Sequence, residues 1–169
     1  MGMYKNIKAT FREEYRMHPE GYKAKLVQWN KEPPVKGVER PTNIARAREL
    51  GYKAKQGVLV ARVSVKKGRR KIPTHGGGRK PSKSGRFFSR TKSLQAIAEE
   101  RAGRKFSNCE VLNSYFVGEI GNKKFYEVLL LERSNPSICN DPYYKSIVAQ
   151  RGRAQRGLTR AGKKYRGFE

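Results

Sequence analysis

Between Lys66 and Lys92 the chain runs for 27 residues with eleven Lys or Arg and no Asp or Glu. Five of these residues are Gly and two are Pro. Such a segment cannot build an apolar core. Its like charges repel one another, and its glycines make ordering costly. Whatever folds must therefore form from the sequence on either side and hold this stretch at its surface. A partner has to supply the missing negative charge, and the phosphate backbone of a nucleic acid is the densest ordered source of it. The candidate phosphate ligands are Lys66, Lys67, Arg69, Arg70, Lys71, Arg79, Lys80, Lys83, Arg86, Arg90 and Lys92. Phe87 and Phe88 lie among them as candidate platforms for unpaired bases.

The rest of the chain has the same bias. Lys plus Arg is 39 against 14 Asp plus Glu, a formal net charge of +25 on 169 residues. An ordinary small domain carries roughly 2–8 charges of either sign. A second basic run begins at Arg151, with Arg153, Arg156, Arg160, Lys163, Lys164 and Arg166 among Gly, Tyr165 and Phe168. A short Gly-bracketed loop adds Lys53 and Lys55. Guanidinium groups bind phosphate with two donors and stack on bases. A membrane surface is the competing acidic partner, but no apolar run approaches the ~20 residues of a membrane span. The N-terminus has no apolar leader, so the chain reads as intracellular.

Catalytic and metal-binding chemistry has little to stand on. His18 and His75 are lone residues in polar surroundings, and the acids are scattered. Glu99 and Glu100 are adjacent on an expected helix and so point about 100° apart, which bars them from flanking one substrate atom. Cys109 and Cys139 stand thirty residues apart without a Cys-x-x-Cys pair; they read as reduced thiols, with no metal and no cofactor. The chain is expected not to be an enzyme.

Apolar periodicity is confined to 24–65 and 92–132, roughly 80 residues, few enough to be marginal alone. Tyr4, Ile7, Phe11 and Tyr15 make one helical stripe over 1–18. Residues 24–32, with Leu26, Val27 and Trp29, read as a strand closed by Pro33-Pro34, and Trp29 as a core anchor. Thr42 is the expected cap of a helix ending at Gly51. Residues 58–66 alternate as a strand, with Leu59, Ala61, Val63 and Val65 on its core face. Ser93 caps a helix over 93–102, closed by Gly103. A hairpin pairs 109–117 with 124–131 through a turn at Gly121-Asn122. Leu129, Leu130 and Leu131 in succession imply burial on both faces. This hairpin is acidic between basic flanks, so it is expected to face away from the phosphates. Pro136 and Pro142 break the pattern, and Tyr143, Tyr144, Ile147 and Val148 mark a short helix.

The division is thus 1–23 as an N-terminal amphipathic helix, 24–132 as an α+β domain carrying the basic loop 66–92, and 133–169 as a basic extension. The loop is tethered at both ends, and the extension is the freer arm.

Several stretches carry a resemblance. Arg48-Glu-Leu-Gly-Tyr-Lys-Ala-Lys-Gln-Gly57 and Ser93-Leu-Gln-Ala-Ile-Ala-Glu-Glu-Arg-Ala-Gly103 are the longest. Val111-Leu-Asn-Ser-Tyr-Phe-Val-Gly118, Phe125-Tyr-Glu-Val-Leu129 and Arg156-Gly-Leu-Thr-Arg-Ala-Gly162 follow in order. Together they resemble the L-fifteen-e family of archaeal and eukaryotic large-subunit ribosomal proteins. The resemblance implies a small α+β domain with a four-stranded antiparallel sheet, in a β-α-β-α-β-β plan, and extensions threaded into ribosomal RNA. Its implied partners are large-subunit ribosomal RNA and neighbouring large-subunit proteins, in the cytoplasm. From the residues alone, a free RNA chaperone or DNA-compacting protein remains the alternative.

Overall fold

A computed structural model describes residues 2–68, 70–71, 73, 75–83, 85, 87–88 and 91–168, with backbone alone at 70–71 and 87–88. Its centre is strand β6 (Lys123–Glu132), in which every residue from Phe125 to Leu131 is buried. Leu129, Leu130 and Leu131 are each 0% exposed. Burial of that kind stabilises by about 2–3 kcal/mol per leucine. The other strands are β1 (Val35–Val38), β2 (Val58–Lys66) and β5 (Cys109–Ile120). They form one antiparallel sheet in the order β1-β2-β6-β5. The expected four-stranded α+β fold is present.

Both faces of the sheet are covered. On one, Leu129 and Leu131 meet Val60, Leu112 and Tyr115. Above them lie α3 (Ile44–Glu49), α5 (Pro136–Cys139) and α6 (Pro142–Val148), which supply Ala47, Ile138 and Tyr144. On the other, Val128 and Leu130 meet Ala61, Val63 and Val65 beneath α4 (Leu94–Lys105). The single core face expected for β2 is therefore too simple: Val60 is buried in the opposite layer, and Leu59 is exposed.

Two expected boundaries need correction, and α4 runs on through Gly103, its expected close, to Lys105. The expected strand over 24–32 is helix instead: residues 24–31 belong to α2 (Glu20–Lys31), and Glu32 is its C-cap. Tyr22, Leu26 and Trp29 recur at helical spacing and pack on Phe125. A window that starts at residue 24 omits Tyr22, and the remaining short run has no clear period. The first strand lies just beyond Pro33-Pro34 instead. Thr42 does not cap α3; Asn43 does, accepting from the Arg46 N–H at 2.9 Å. Trp29 is the expected core anchor, with its ring 5.8 Å from Phe125 and Arg62 stacked 4.1 Å from its centroid.

The hairpin acids do not face solvent as a group. Glu110 and Glu127 are buried, 6% and 0% exposed. Glu127 sits opposite Arg62 in the β2–β6 register and pairs with it at 3.5 Å. It accepts from the Thr42 N–H at 2.9 Å and from the Thr42 and Tyr115 hydroxyls. Glu119 stays at the surface, where hydrogen bonding from Lys67 holds its carboxyl below the usual range.

Strand β5 is one of the two edges of the sheet, and side chains bond several of its carbonyls. Arg153 donates to Val111 O at 2.8 Å, Gln95 to Ser114 O at 2.9 Å and Tyr22 to Val117 O at 3.3 Å. An edge so occupied cannot template another strand.

Candidate nucleic-acid interface

The basic loop leaves β2 and returns to α4 with both ends held. Lys67 donates its N–H to Asn122 O at 2.7 Å and pairs with Glu119 at 3.1 Å. Lys92 pairs with Glu100, a contact that raises the pKa of its ammonium group. Within the loop, β3 (Arg70–Lys71) pairs antiparallel with β4 (Phe87–Phe88), which draws its two limbs together. Arg79, Lys80 and Lys83 are exposed at the far end, Lys83 closing a single 3-10 turn. Arg69, Arg86 and Arg90 lie outside the described residues, as do the side chains of Arg70, Lys71, Phe87 and Phe88.

Lys53 and Lys55 converge on one carboxylate. Asp141 accepts from them at 3.2 and 2.8 Å while capping α6 through the Tyr143 N–H. Lys55 first, then that N–H, holds the Asp141 carboxyl down at about 2. Lys53 also lies 5.2 Å from the ring centres of Tyr143 and Tyr144. The two lysines are thus pre-positioned at a fixed corner of the surface.

Among the described residues the C-terminal run is not a free arm. Glu110 accepts from the Gly152 and Arg153 N–H groups at 2.9 and 3.3 Å. Arg153 turns inward to the β5 carbonyls, and desolvation pushes its pKa down. Thr159, 1% exposed, caps α7 (Arg160–Tyr165) and donates to Glu99. Gly162 lies so close to Gly157 that a Cβ on it would come 2.6 Å from that backbone. The Arg156–Gly162 signature is therefore a docking element of the fold. Arg151, Arg156, Lys163, Lys164 and Arg166 remain on its exposed side, with Arg166 4.9 Å from the Phe168 ring centre. Arg160 is exposed there as well.

The anchor beneath α7 is a buried carboxyl, Glu99. Burial pushes the Glu99 carboxyl above its ordinary 4.5, against hydrogen bonds from Ser114 and Thr159. A carboxyl that keeps its proton longer in the folded state contributes stability below its ordinary pKa. That contribution is lost as pH rises through the folded value. Glu99→Gln keeps the shape and removes the titration. Its urea midpoint relative to the unsubstituted chain should rise as pH climbs above 4.5 through the raised folded-state value. An unchanged difference would show that Glu99 does not change its ionisation in the folded state over that range.

Three cationic hollows extend the surface beyond the residues expected from sequence. One of about 690 Å³ lies between α1 (Met3–Met17) and the β5 edge and is lined by Lys8, Arg12 and Arg46. A second, about 830 Å³, gathers Lys66, Arg101, Arg104, Lys105 and Lys123 at the root of the basic loop. A third, about 490 Å³, is ringed by Arg104, Arg133, Arg151 and Arg156. The basic last turn of α4 and the off-stripe cations of α1 are visible as sequence. Their convergence depends on the topology.

Fold and surface together define a class: a compact α+β scaffold with a cationic rim, the makeup of a polyanion-binding protein. The family model described as Ribosomal L15 matches residues 2–169. The chain is also 46% identical over 170 aligned positions to the large ribosomal subunit protein eL15 of Nanoarchaeum equitans, covering 99% of this chain and 90% of that one. The chain belongs to the Ribosomal L15 family.

Proposed function

We propose that the chain is a structural, non-catalytic constituent of the large ribosomal subunit. In this reading it binds and braces ribosomal RNA and so supports translation in the cytoplasm beside neighbouring large-subunit proteins. The carrying observation is the way charge is sorted. Glu99, Glu100, Glu110 and Glu127 are buried, so the surface is more cationic than the formal +25 indicates. The proposed contacts come from the loop cations 66–92, the Lys53–Lys55 corner and the exposed side of 151–166, with Arg153 left to the fold. Contacts of this kind position a protein on folded RNA with little reading of base identity. In this reading 24–132 carries the basic loop, while 1–23 runs into it through α2 and 133–169 packs against it through Ile138, Tyr144 and Thr159.

Sedimentation of cell lysate tests this. The tagged chain should travel with large subunits at moderate salt. A free or nucleoid-bound pool would contradict the proposal and favour an RNA chaperone or DNA-compacting protein.

A further inference from the structure

Helix α1 is amphipathic, yet none of its residues is buried. Its stripe leans over the β5 edge without closing on it. Tyr4 accepts from Arg48, and Lys8 pairs with Glu49. Beneath lies the 690 Å³ groove, floored by Ser114–Val117 and walled by Phe11 and Tyr15. Phe116 and Tyr15 meet edge to face at 5.6 Å, and they are 38% and 41% exposed. The groove continues past Arg46, Gln95 and Ser114 into a hollow of about 410 Å³ lined by Arg160 and Lys164. Aromatic surface therefore lies at one end, beside Lys8 and Arg12, and Arg160 and Lys164 lie at the other. Among the described residues Glu49 is the one acid lining either part, and it is shared by Lys8 and Arg46. Among the same residues no acid pairs with Arg12.

We propose that this groove takes one unpaired RNA nucleotide, its base against Phe116 and Tyr15 and its phosphate toward Arg12 and the α7 cations. The inference rests on the RNA-binding reading above and adds a stacking site on the scaffold, apart from the loop phenylalanines Phe87 and Phe88. The size falls within the roughly 300–1,000 Å³ of sites that enclose small ligands. Aromatic rings can engage a base only when it is out of its stack, which selects single-stranded or looped RNA. A peptide strand added to the sheet edge is the competing occupant. The occupied carbonyls of Ser114 and Val117 deny it a ladder.

Phe116→Leu keeps apolar volume at a half-exposed position and removes the ring. Stacking is worth about 1–3 kcal/mol per base. The variant should therefore bind a uridine oligonucleotide of about twelve nucleotides roughly 5- to 150-fold more weakly. Its affinity for duplex RNA and its salt slope should not change, because phosphate contacts remain. Arg12→Gln should lower the single-strand slope by about 0.7. Equal oligonucleotide affinity for Phe116→Leu and the unsubstituted chain would overturn the groove while leaving RNA binding intact. No RNA binding by the unsubstituted chain would instead overturn the broader reading. Ultraviolet crosslinking in purified large subunits gives the second measurement. Tyr15 or Phe116 joined to a nucleotide supports the proposal, and either joined to a protein segment contradicts it.

Discussion

Glu127→Ala is expected to lower folding stability by about 3–5 kcal/mol, and so the melting temperature by roughly 6–20 °C. The reason is what the substitution strands. Arg62 has 11% side-chain exposure, and its Nε already lacks a partner. Without Glu127 its remaining carboxylate is Glu32 at 3.3 Å. The Thr42 N–H and the buried Tyr115 hydroxyl lose their acceptor as well. Breaking one half of a buried pair leaves an uncompensated charge, which costs far more than the intact pair contributes. Glu127→Gln retains an acceptor and should be milder. The double variant Arg62→Leu, Glu127→Leu should be less destabilised than the sum of its single changes, because neither charge is then stranded. A loss below about 1 kcal/mol for Glu127→Ala would mean that water or Glu32 satisfies Arg62, and that this site does not hold β2 to β6.

Replacing residues 68–90 by a short Gly-Ser link should separate binding from folding. The cut removes eight Lys or Arg. It leaves both anchors, Lys67 on Glu119 and Lys92 on Glu100. The β3–β4 pairing shows that the two limbs already run close together, so a short link can join them. No described residue of the deleted stretch belongs to an apolar cluster of the core. Far-ultraviolet circular dichroism and the thermal transition should therefore stay close to those of the full chain. RNA binding should weaken, and its salt slope should become shallower by roughly 0.7–0.9 for each phosphate that the loop no longer neutralises. Unfolding of the shortened chain would refute the division between scaffold and loop. Unchanged binding would remove the loop from the interface.

What is legible in the sequence follows a clean period or a local cap. Strand β2 alternates from Ala61 to Val65 and runs over the expected 58–66. Ser93 caps α4 as expected, accepting from the Ala96 N–H at 3.2 Å. The β5–β6 turn at Gly121 has φ of 50°, a left-handed value that glycine adopts without strain. Errors arise where tertiary partners decide. Thr42 looks like a cap by spacing, but buried Glu127 from a strand 85 residues away takes its N–H and hydroxyl. Pro136 and Pro142 look like breaks, yet each stands in the first turn of a short helix capped by Asn135 or Asp141. The C-terminal run looks free because its cations are evident and its anchors are distant: Glu99 and Glu110 lie on α4 and β5. The candidate interface is legible as a charge excess. Which cations share a surface is not, because Arg12, Arg46 and Lys164 are distant in sequence and are brought around one groove only by the fold.

The central claim is that many exposed cations act together on RNA phosphates. Equilibrium binding of the full chain to a large-subunit RNA fragment over a range of salt concentrations tests it most directly. With ~10 phosphate contacts the plot of log K against log salt should have a slope of roughly −7 to −9. A slope shallower than about −3 would contradict the account, since so few neutralised phosphates would leave most of the cationic rim unused.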